Sequence, residues 1–455
     1  MLVAGLDLGG SAVKAWVREL EGPLRASAVV PVPALRDGHR VELDPDTWLA
    51  ACHQALSQVA HDLSGWAGLT VCSLRQGFVL LDGADDVLGN GVLNSDRRGA
   101  PYAEVLAGRH SLTGHWPAPE LTLPKLLAVQ AEEPDRWAAT RRVLFLHDWL
   151  IACLTGVHVT EASYACAGGM ADVAARDWAR ELLADCGIGT DLLAPIVEAG
   201  TIVGSLLPGW PLPPGTPVVA GCGDTQVAAM GAGGLHPGVV TVVAGSSTPV
   251  AVTLDRPVQD PLARAWVSTH AAPDRWVAEG NAGYPGSFAG WWSGLAAGDD
   301  TDDPAGVVAV TAVEHWAQDT WQTKPPWSLL GLRPDTTAGQ VQRALLEAHA
   351  FSVAGSVDDL GRLADVTDVV VTGGAADDGA LPALLAQVLG RDIRWDTEGG
   401  ASLAGAALVG RALGKAPDPL PVPPIAFSAG DPGPLALRRS TWTNAVAALR
   451  EALPS

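Results

Sequence analysis

Lysine is nearly missing from this 455-residue chain. It stands only at 14, 125, 324 and 415, so the other 25 of the 29 basic residues are arginine. Positive charge as a whole is short: 29 Lys and Arg face 50 Asp and Glu, a formal net charge of −21. That deficit argues against nucleic acid or an anionic membrane as a partner, because both bind through excess positive charge. It also means that any polyanionic ligand must be held by a local site, since the global field repels it. Against this background Lys14 and Lys125 stand out, with a solvated surface lysine as the plain alternative for each. No segment reaches the ~18 uninterrupted apolar residues of a membrane span. The chain enters an apolar strand at once, with no charged leader before an apolar run. Cysteine is scarce, at 52, 72, 153, 166, 186 and 222, with no C-x-x-C spacing and in apolar or small-residue surroundings. Reduced, buried thiols follow, with neither a disulfide framework nor a zinc site. A soluble, cytoplasmic protein is the expectation. Low-complexity tracts and short-period repeats are also missing.

What is present is organised around Gly221-Cys222-Gly223-Asp224-Thr225-Gln226. An apolar strand (217–220) runs into a glycine-walled turn carrying one carboxylate, and a helical segment follows from Gln226. Taken alone, an Asp after a glycine is a helix N-cap. It is not alone. Leu6-Asp7-Leu8-Gly9-Gly10-Ser11-Ala12-Val13-Lys14 reads as strand, glycine turn and strand, a β-hairpin. Residues 239–253 repeat the design around Gly245-Ser246-Ser247-Thr248. Glycines let backbone N–H groups approach a ligand closely, and successive N–H groups make an anion cradle. Two such hairpins, one opening each half, imply a duplicated fold with polyphosphate between the halves.

The length exceeds one core, so two domains are expected. The stiff segment Pro208-Gly209-Trp210-Pro211-Leu212-Pro213-Pro214-Gly215 suggests a boundary, giving domains 1–212 and 213–455. Asp44-Pro45 opens a helix to about residue 60, with Trp48, Ala51, Cys52, Ala55 and Val59 at helical spacing. A longer amphipathic helix is expected over 340–363, with Val341, Leu345, Ala348 and Ser352 on one stripe. A small-residue helix is expected over 402–413. The aromatic, acidic stretch 291–327 is poorly patterned and reads as lid or loop.

The ordered set of motifs resembles the FGGY carbohydrate kinases of the actin-like, ribonuclease-H-like ATPase superfamily, over nearly the whole chain. Asp7 to Lys14 resembles the family's first phosphate motif, and Gly221 to Asp224 the segment with its catalytic aspartate. Gly245 to Thr248 resembles the second phosphate motif, and Val369-Val370-Val371-Thr372-Gly373-Gly374-Ala375 the adenosine motif, with Ala375 where a third glycine stands in the family. Leu146-His147-Asp148-Trp149-Leu150, Val159-Thr160-Glu161-Ala162-Ser163 and Arg176-Asp177-Trp178 follow in the family's order.

The resemblance implies an α/β fold of two actin-like domains with the catalytic cleft between them, and ATP-dependent phosphorylation of a small sugar hydroxyl. Phosphoryl transfer needs positioning and charge neutralisation more than covalent chemistry. Asp224 is the expected base, and Asp7 the expected ligand of Mg²⁺. Gly9, Gly10, Ser11, Lys14, Gly245, Ser246 and Ser247 would hold phosphates, and Gly373, Gly374 and Ala375 adenosine. Arg75, Gln76, Asp96, Asp224 and Thr225 would meet the sugar. Here the chain departs from the xylulokinase pattern, which has Met-His in place of Arg75-Gln76 and Trp in place of Asn94. An arginine there is closer to the glycerol kinase and autoinducer-2 kinase arrangements. Its donor fork suits vicinal hydroxyls or a carbonyl; the alternative is an Arg75–Asp96 pair that only shapes the loop. A ketopentose such as xylulose or ribulose is the expected substrate, a polyol or other short open-chain ketose the alternative. A non-catalytic sugar-binding regulator on the same fold is the competing class, disfavoured because both Asp7 and Asp224 are present. Sugar and ATP are the expected partners, and a homodimer is left open.

Overall fold

The computed structural model describes all residues except 246, 261, 263, 296–300, 312–326, 398–399, 416–419, 421 and 453–455. Two large sheets repeat one connectivity. In the first, Leu24–Pro31, Ala12–Glu19 and Leu2–Leu8 form an antiparallel meander, and Trp66–Ser73 and then Pro217–Gly223 continue the sheet in parallel. In the second, Trp276–Asn281, Pro249–Leu254 and Val239–Val243 are the meander, and Asp368–Thr372 and Ile393–Trp395 the parallel pair. Ile202–Ser205 edges the first sheet, and Trp266–Thr269 and Ile425–Phe427 edge the second. The expected duplication is therefore a duplication of sheets. The parallel strands are apolar on both faces, because helices or the other lobe cover each side. Val369, Val370 and Val371 are all buried.

The helices form where their caps and stripes placed them. Pro45–Ala60 starts at Asp44, whose carboxylate accepts from Thr47 N–H, and it buries Trp48, Ala51, Cys52, Ala55 and Val59. Ala338–Leu360 begins slightly earlier than its apolar stripe suggested, because Thr337 and Gln340 make a reciprocal capping box. A five-stranded sheet containing Phe78–Leu81 and Arg142–Phe145 extends the first lobe. In 291–327, the described residues form the end of helix Pro285–Ser293 and a strand, Val308–Val310, that pairs with Ser328–Leu330. Among the described residues no helix is long and apolar enough to cross a membrane.

The chain does not change sheets at 212/213. The proline-rich segment 208–215 connects the antiparallel neighbours Ile202–Ser205 and Pro217–Gly223, so it is an edge loop of the first sheet. The strand that delivers Asp224 belongs to that sheet. Proline restricts the backbone wherever it occurs, in hairpin loops as well as in linkers, so stiffness alone did not locate the boundary. The small-residue helix Gly400–Ala412 runs the other way. It lies late in the chain, yet Ala404, Ala406, Leu408 and Val409 pack with Val3, Trp16 and Val219 of the first lobe. It crosses helix Asp224–Gly231 at a glycine pair: a Cβ on Gly231 would lie 1.7 Å from the Gly400 carbonyl oxygen.

Candidate active site

The carboxyl-terminal ends of the first sheet's central strands carry the acidic groups. Leu2–Leu8 ends just past Asp7, and Pro217–Gly223 ends just before Asp224. Asp224 is the first residue of its helix rather than its cap. Gly223 takes the cap position, and the Thr225 N–H donates to Asp224 Oδ1 at 2.7 Å. Asp7 is 17% exposed, and Lys14 Nζ lies 3.9 Å from its Oδ2 across the hairpin. Asp7 Oδ1 is buried with no hydrogen-bond partner among the described residues. Burial pushes the Asp7 carboxyl up to about 6, the negative charge of Asp224 adds to this, and Lys14 opposes it. Two carboxylates that repel each other beside a glycine turn, one with an unused oxygen, fit a hard divalent cation. Mg²⁺ takes one or two carboxylates and completes its shell with phosphate oxygens and water. Among the described residues no group of three or more His, Cys, Asp or Glu could hold a metal, so such an ion would depend on ligand oxygens.

The Gly9-Gly10-Ser11 turn is closed by Gly9 N–H to Ala12 O at 3.0 Å and leaves Gly10 and Ser11 exposed. Gly10 faces Asn94 and Leu74 of the expected sugar turns. The expected second phosphate turn is held by Gly245 N–H to Ser247 O at 3.1 Å; Ser246 lies outside the described residues. Behind it, Thr248 Oγ1 meets His349 Nε2 at 2.8 Å, and burial holds that imidazole neutral by lowering its pKa to about 3. The turn expected to take adenosine docks on the same place. Ala244 N–H donates to Thr372 O, and Ala375 N–H donates to Ala244 O. Gly373 has φ +100°, and a Cβ there would lie 2.4 Å from Ala244 O, so only glycine fits. Gly374 and Ala375 are exposed, which leaves the Ala375 methyl clear of the protein interior.

The residues expected to face the sugar divide. Arg75 leans over the Asp224 turn, because a Cβ on Gly223 would lie 2.8 Å from its Cγ and Cδ. Its partner is Glu279 of the second sheet, at 2.7 Å, with the two side chains 9% and 2% exposed. Asp96 is not that partner and does not reach the cleft. It is fully buried; Oδ1 accepts from Arg98 N–H and Nε, and Oδ2 from Val41 N–H and Arg98 Nη2. These bonds hold its pKa below the usual carboxylate range against the opposing cost of burial. Gln76 adopts φ +69° and presents its carbonyl inward, to Thr122 Oγ1 and Lys125 Nζ. Thr225 stays half-buried beside Asp224.

Three further side chains shape the site. Tyr164 accepts at its hydroxyl from Ser73 N–H at 2.8 Å and donates to Cys222 O at 2.8 Å, joining the two strand ends that precede Arg75 and Asp224. Glu161 caps the helix Ala162–Ala167 by accepting from Ser163 N–H and Oγ, and Ser163 Oγ in turn accepts from Gly223 N–H at 3.4 Å. Burial raises the Glu161 carboxyl to about 8. Glu279 had one sequence signal, a single carboxylate inside the strand Trp276–Asn281, otherwise buried and largely uncharged.

Comparison with known proteins agrees with this geometry. The FGGY family of carbohydrate kinases matches with its N-terminal domain over residues 2–231 and with its C-terminal domain over residues 240–413. A xylulose kinase of Escherichia coli (strain K12) is 27% identical over 438 residues, covering 90% of this chain and 88% of that protein. An autoinducer-2 kinase of Enterobacter sp. (strain 638) is 26% identical over 438 residues, covering 86% and 82%. The crystal structure of a xyloylose kinase from Brucella ovis superposes with a TM-score of 0.86 at 25% identity, covering 100% of this chain and 99% of that one. With both domain models matched in order, and with two sheets of one connectivity, the chain belongs to the FGGY family of carbohydrate kinases.

Proposed function

We propose that this sugar kinase transfers the γ-phosphoryl group of ATP to a hydroxyl of a ketopentose such as xylulose or ribulose. The observation that carries the reading is the meeting of Asp7 and Asp224 beside the Gly9-Gly10-Ser11 turn. Asp224 takes the proton from the attacking hydroxyl, an effect of about 10²–10⁴-fold in such enzymes. Thr225 N–H holds Oδ1 and so fixes the carboxylate, leaving Oδ2 to take the proton. Backbone N–H groups at Gly10, Ser11 and Ser247, with Ser246 and Lys14, take the phosphates, in turns that Gly9 and Gly245 close with their own N–H groups. Gly373, Gly374 and Ala375 take adenosine. Asp7 would hold Mg²⁺, which when bound neutralises charge on the phosphate oxygens. Arg75, Gln76 and Thr225 face the sugar, whereas Asp96 is turned to Arg98 and Val41 and takes no part.

The buried Arg75–Glu279 pair favours a second reading, a polyol or another short open-chain ketose. A charged pair at the substrate position suits a flexible chain of hydroxyls. A panel of ketopentoses, tetruloses, glycerol and other polyols, assayed for ATP turnover and for thermal shift with and without an ATP analogue, tests both readings. Turnover and stabilisation by a ketopentose support the first, and by a polyol or tetrulose alone the second. ATP-dependent phosphorylation of none of them would overturn both.

A further inference from the structure

Glu279 belongs to the second lobe, yet its carboxylate sits at the substrate turn of the first. It lies on Trp276–Asn281, two residues before Asn281, which is opposite Pro249 just after the second phosphate turn. The strand therefore brings Glu279 to the phosphate end of its sheet. Oε1 binds Arg75 Nη2 at 2.7 Å. Oε2 is buried with no hydrogen-bond partner among the described residues. A carboxylate 2% exposed with one oxygen unsatisfied leaves an acceptor without a donor, which is costly unless a ligand supplies one. Arg75 is at the same time fixed over Gly223, next to the proposed base.

We propose that Glu279 is a specificity-determining residue: its Oε2 accepts a hydrogen bond from the substrate hydroxyl adjacent to the oxygen that Arg75 holds. This rests on the sugar-kinase reading above and names its substrate class more narrowly. Arg75 offers only donors and Glu279 only acceptors. The pair therefore selects two neighbouring oxygens of which at least one carries hydrogen, an α-hydroxy ketone or a vicinal diol. Because the two residues come from different lobes, a substrate that satisfies both also holds the lobes together. A site built to bond a hydroxyl rejects the analogue lacking it far more strongly than a site that only excludes volume.

The test uses the full chain with ATP, the best substrate of the panel and the mono-deoxy analogues of that substrate. Wild type should prefer the parent over one deoxy analogue by at least about tenfold in kcat/KM. Glu279→Gln should lose that preference, falling roughly ten- to a hundredfold on the parent and little on that analogue, with the change mainly in KM. Glu279→Asp keeps a negative charge for Arg75 but withdraws the oxygens, and it should lose the preference too. An unchanged thermal shift with an ATP analogue checks that each variant is folded. Equal losses on the parent and all its analogues would mean that Glu279 serves only to hold Arg75, and would overturn the proposal. So would a wild type with no tenfold gap for any deoxy analogue, whatever the variants do. Failure of the wild type to phosphorylate any sugar or polyol would instead overturn the function from which the proposal starts.

Discussion

Lys125 donates from its buried ammonium to the Gln76 carbonyl at 2.9 Å, and from the same nitrogen to the Leu93 carbonyl at 2.9 Å. One side chain thus joins the turn of Arg75 to the turn of Asn94. Burial lowers its pKa to about 7, partly offset by Asp96 and Glu120. Lys125→Met removes both donors and keeps the side-chain length. The Gln76 carbonyl keeps Thr122 Oγ1 and the Leu93 carbonyl keeps Asp96 N–H, so each loses one of two donors, at about 0.5–1.5 kcal/mol each. The variant should melt lower, and its KM for sugar should rise roughly tenfold, equivalent to about 1.4 kcal/mol. Its KM for ATP should change little. Equal changes in both KM values would show that Lys125 stabilises the lobe without placing the sugar turns.

Asp224→Asn preserves shape and the Thr225 N–H bond to Oδ1 but removes the proton acceptor. Turnover should fall by at least about 10²-fold. Affinity for ATP, measured by thermal shift with a non-hydrolysable analogue, should remain near wild type. Near-normal kcat would exclude Asp224 as the base.

Glu161 gives a pH dependence whose sign is fixed. Its carboxyl is raised from 4.5 to about 8, chiefly by burial, so between those values the folded chain binds more protons than the unfolded one. The stability it contributes is fully present below about pH 4.5 and is lost as pH rises to 8. Glu161→Gln can keep both Ser163 bonds through its amide oxygen and does not titrate. Denaturant unfolding from pH 5 to 8 should therefore show a steeper loss in wild type than in the variant. Lys125, lowered toward 7, works in the opposite direction, so the difference between the two proteins is the quantity to read. Parallel curves would contradict a protonated Glu161.

Gly231→Ala probes the crossing of the two helices between the lobes. The new Cβ would lie 1.7 Å from Gly400 O, a backbone atom that cannot rotate away. Overpacking of this kind costs about 1–3 kcal/mol. A fall in Tm of at least about 2 °C is expected. Because helix Asp224–Gly231 carries Asp224 at its other end, kcat should fall as well. Wild-type Tm and kcat would mean the crossing relaxes without moving the site.

Local chemistry settled much of this protein. Gly9-Gly10-Ser11, Gly245 and Gly373-Gly374 announce turns because glycine is a common turn residue, although only Gly373, at φ +100° and against Ala244 O, holds a conformation that demands it. The Asp44 cap and the apolar stripes of Pro45–Ala60 and Ala338–Leu360 are equally local, so two duplicated halves and the positions of Asp7 and Asp224 could be read directly. Tertiary structure decided the pairings. For Arg75 the sequence offered one carboxylate, Asp96. Asp96 was taken by Arg98, two residues away, and Glu279 arrived from a strand some two hundred residues later. Lys125 stood out by rarity, but a surface lysine stayed open as its alternative because nothing in its own helix shows that two carbonyls wait inside. The lobe boundary followed the same rule: Pro217–Gly223 joined the first sheet because Trp66–Ser73 offered it a parallel edge, and Gly400–Ala412 crossed back because Trp16 and Val3 offered an apolar face. Turn conformation is paid for residue by residue, whereas a buried charge or a strand edge is satisfied only by what the rest of the chain brings to it.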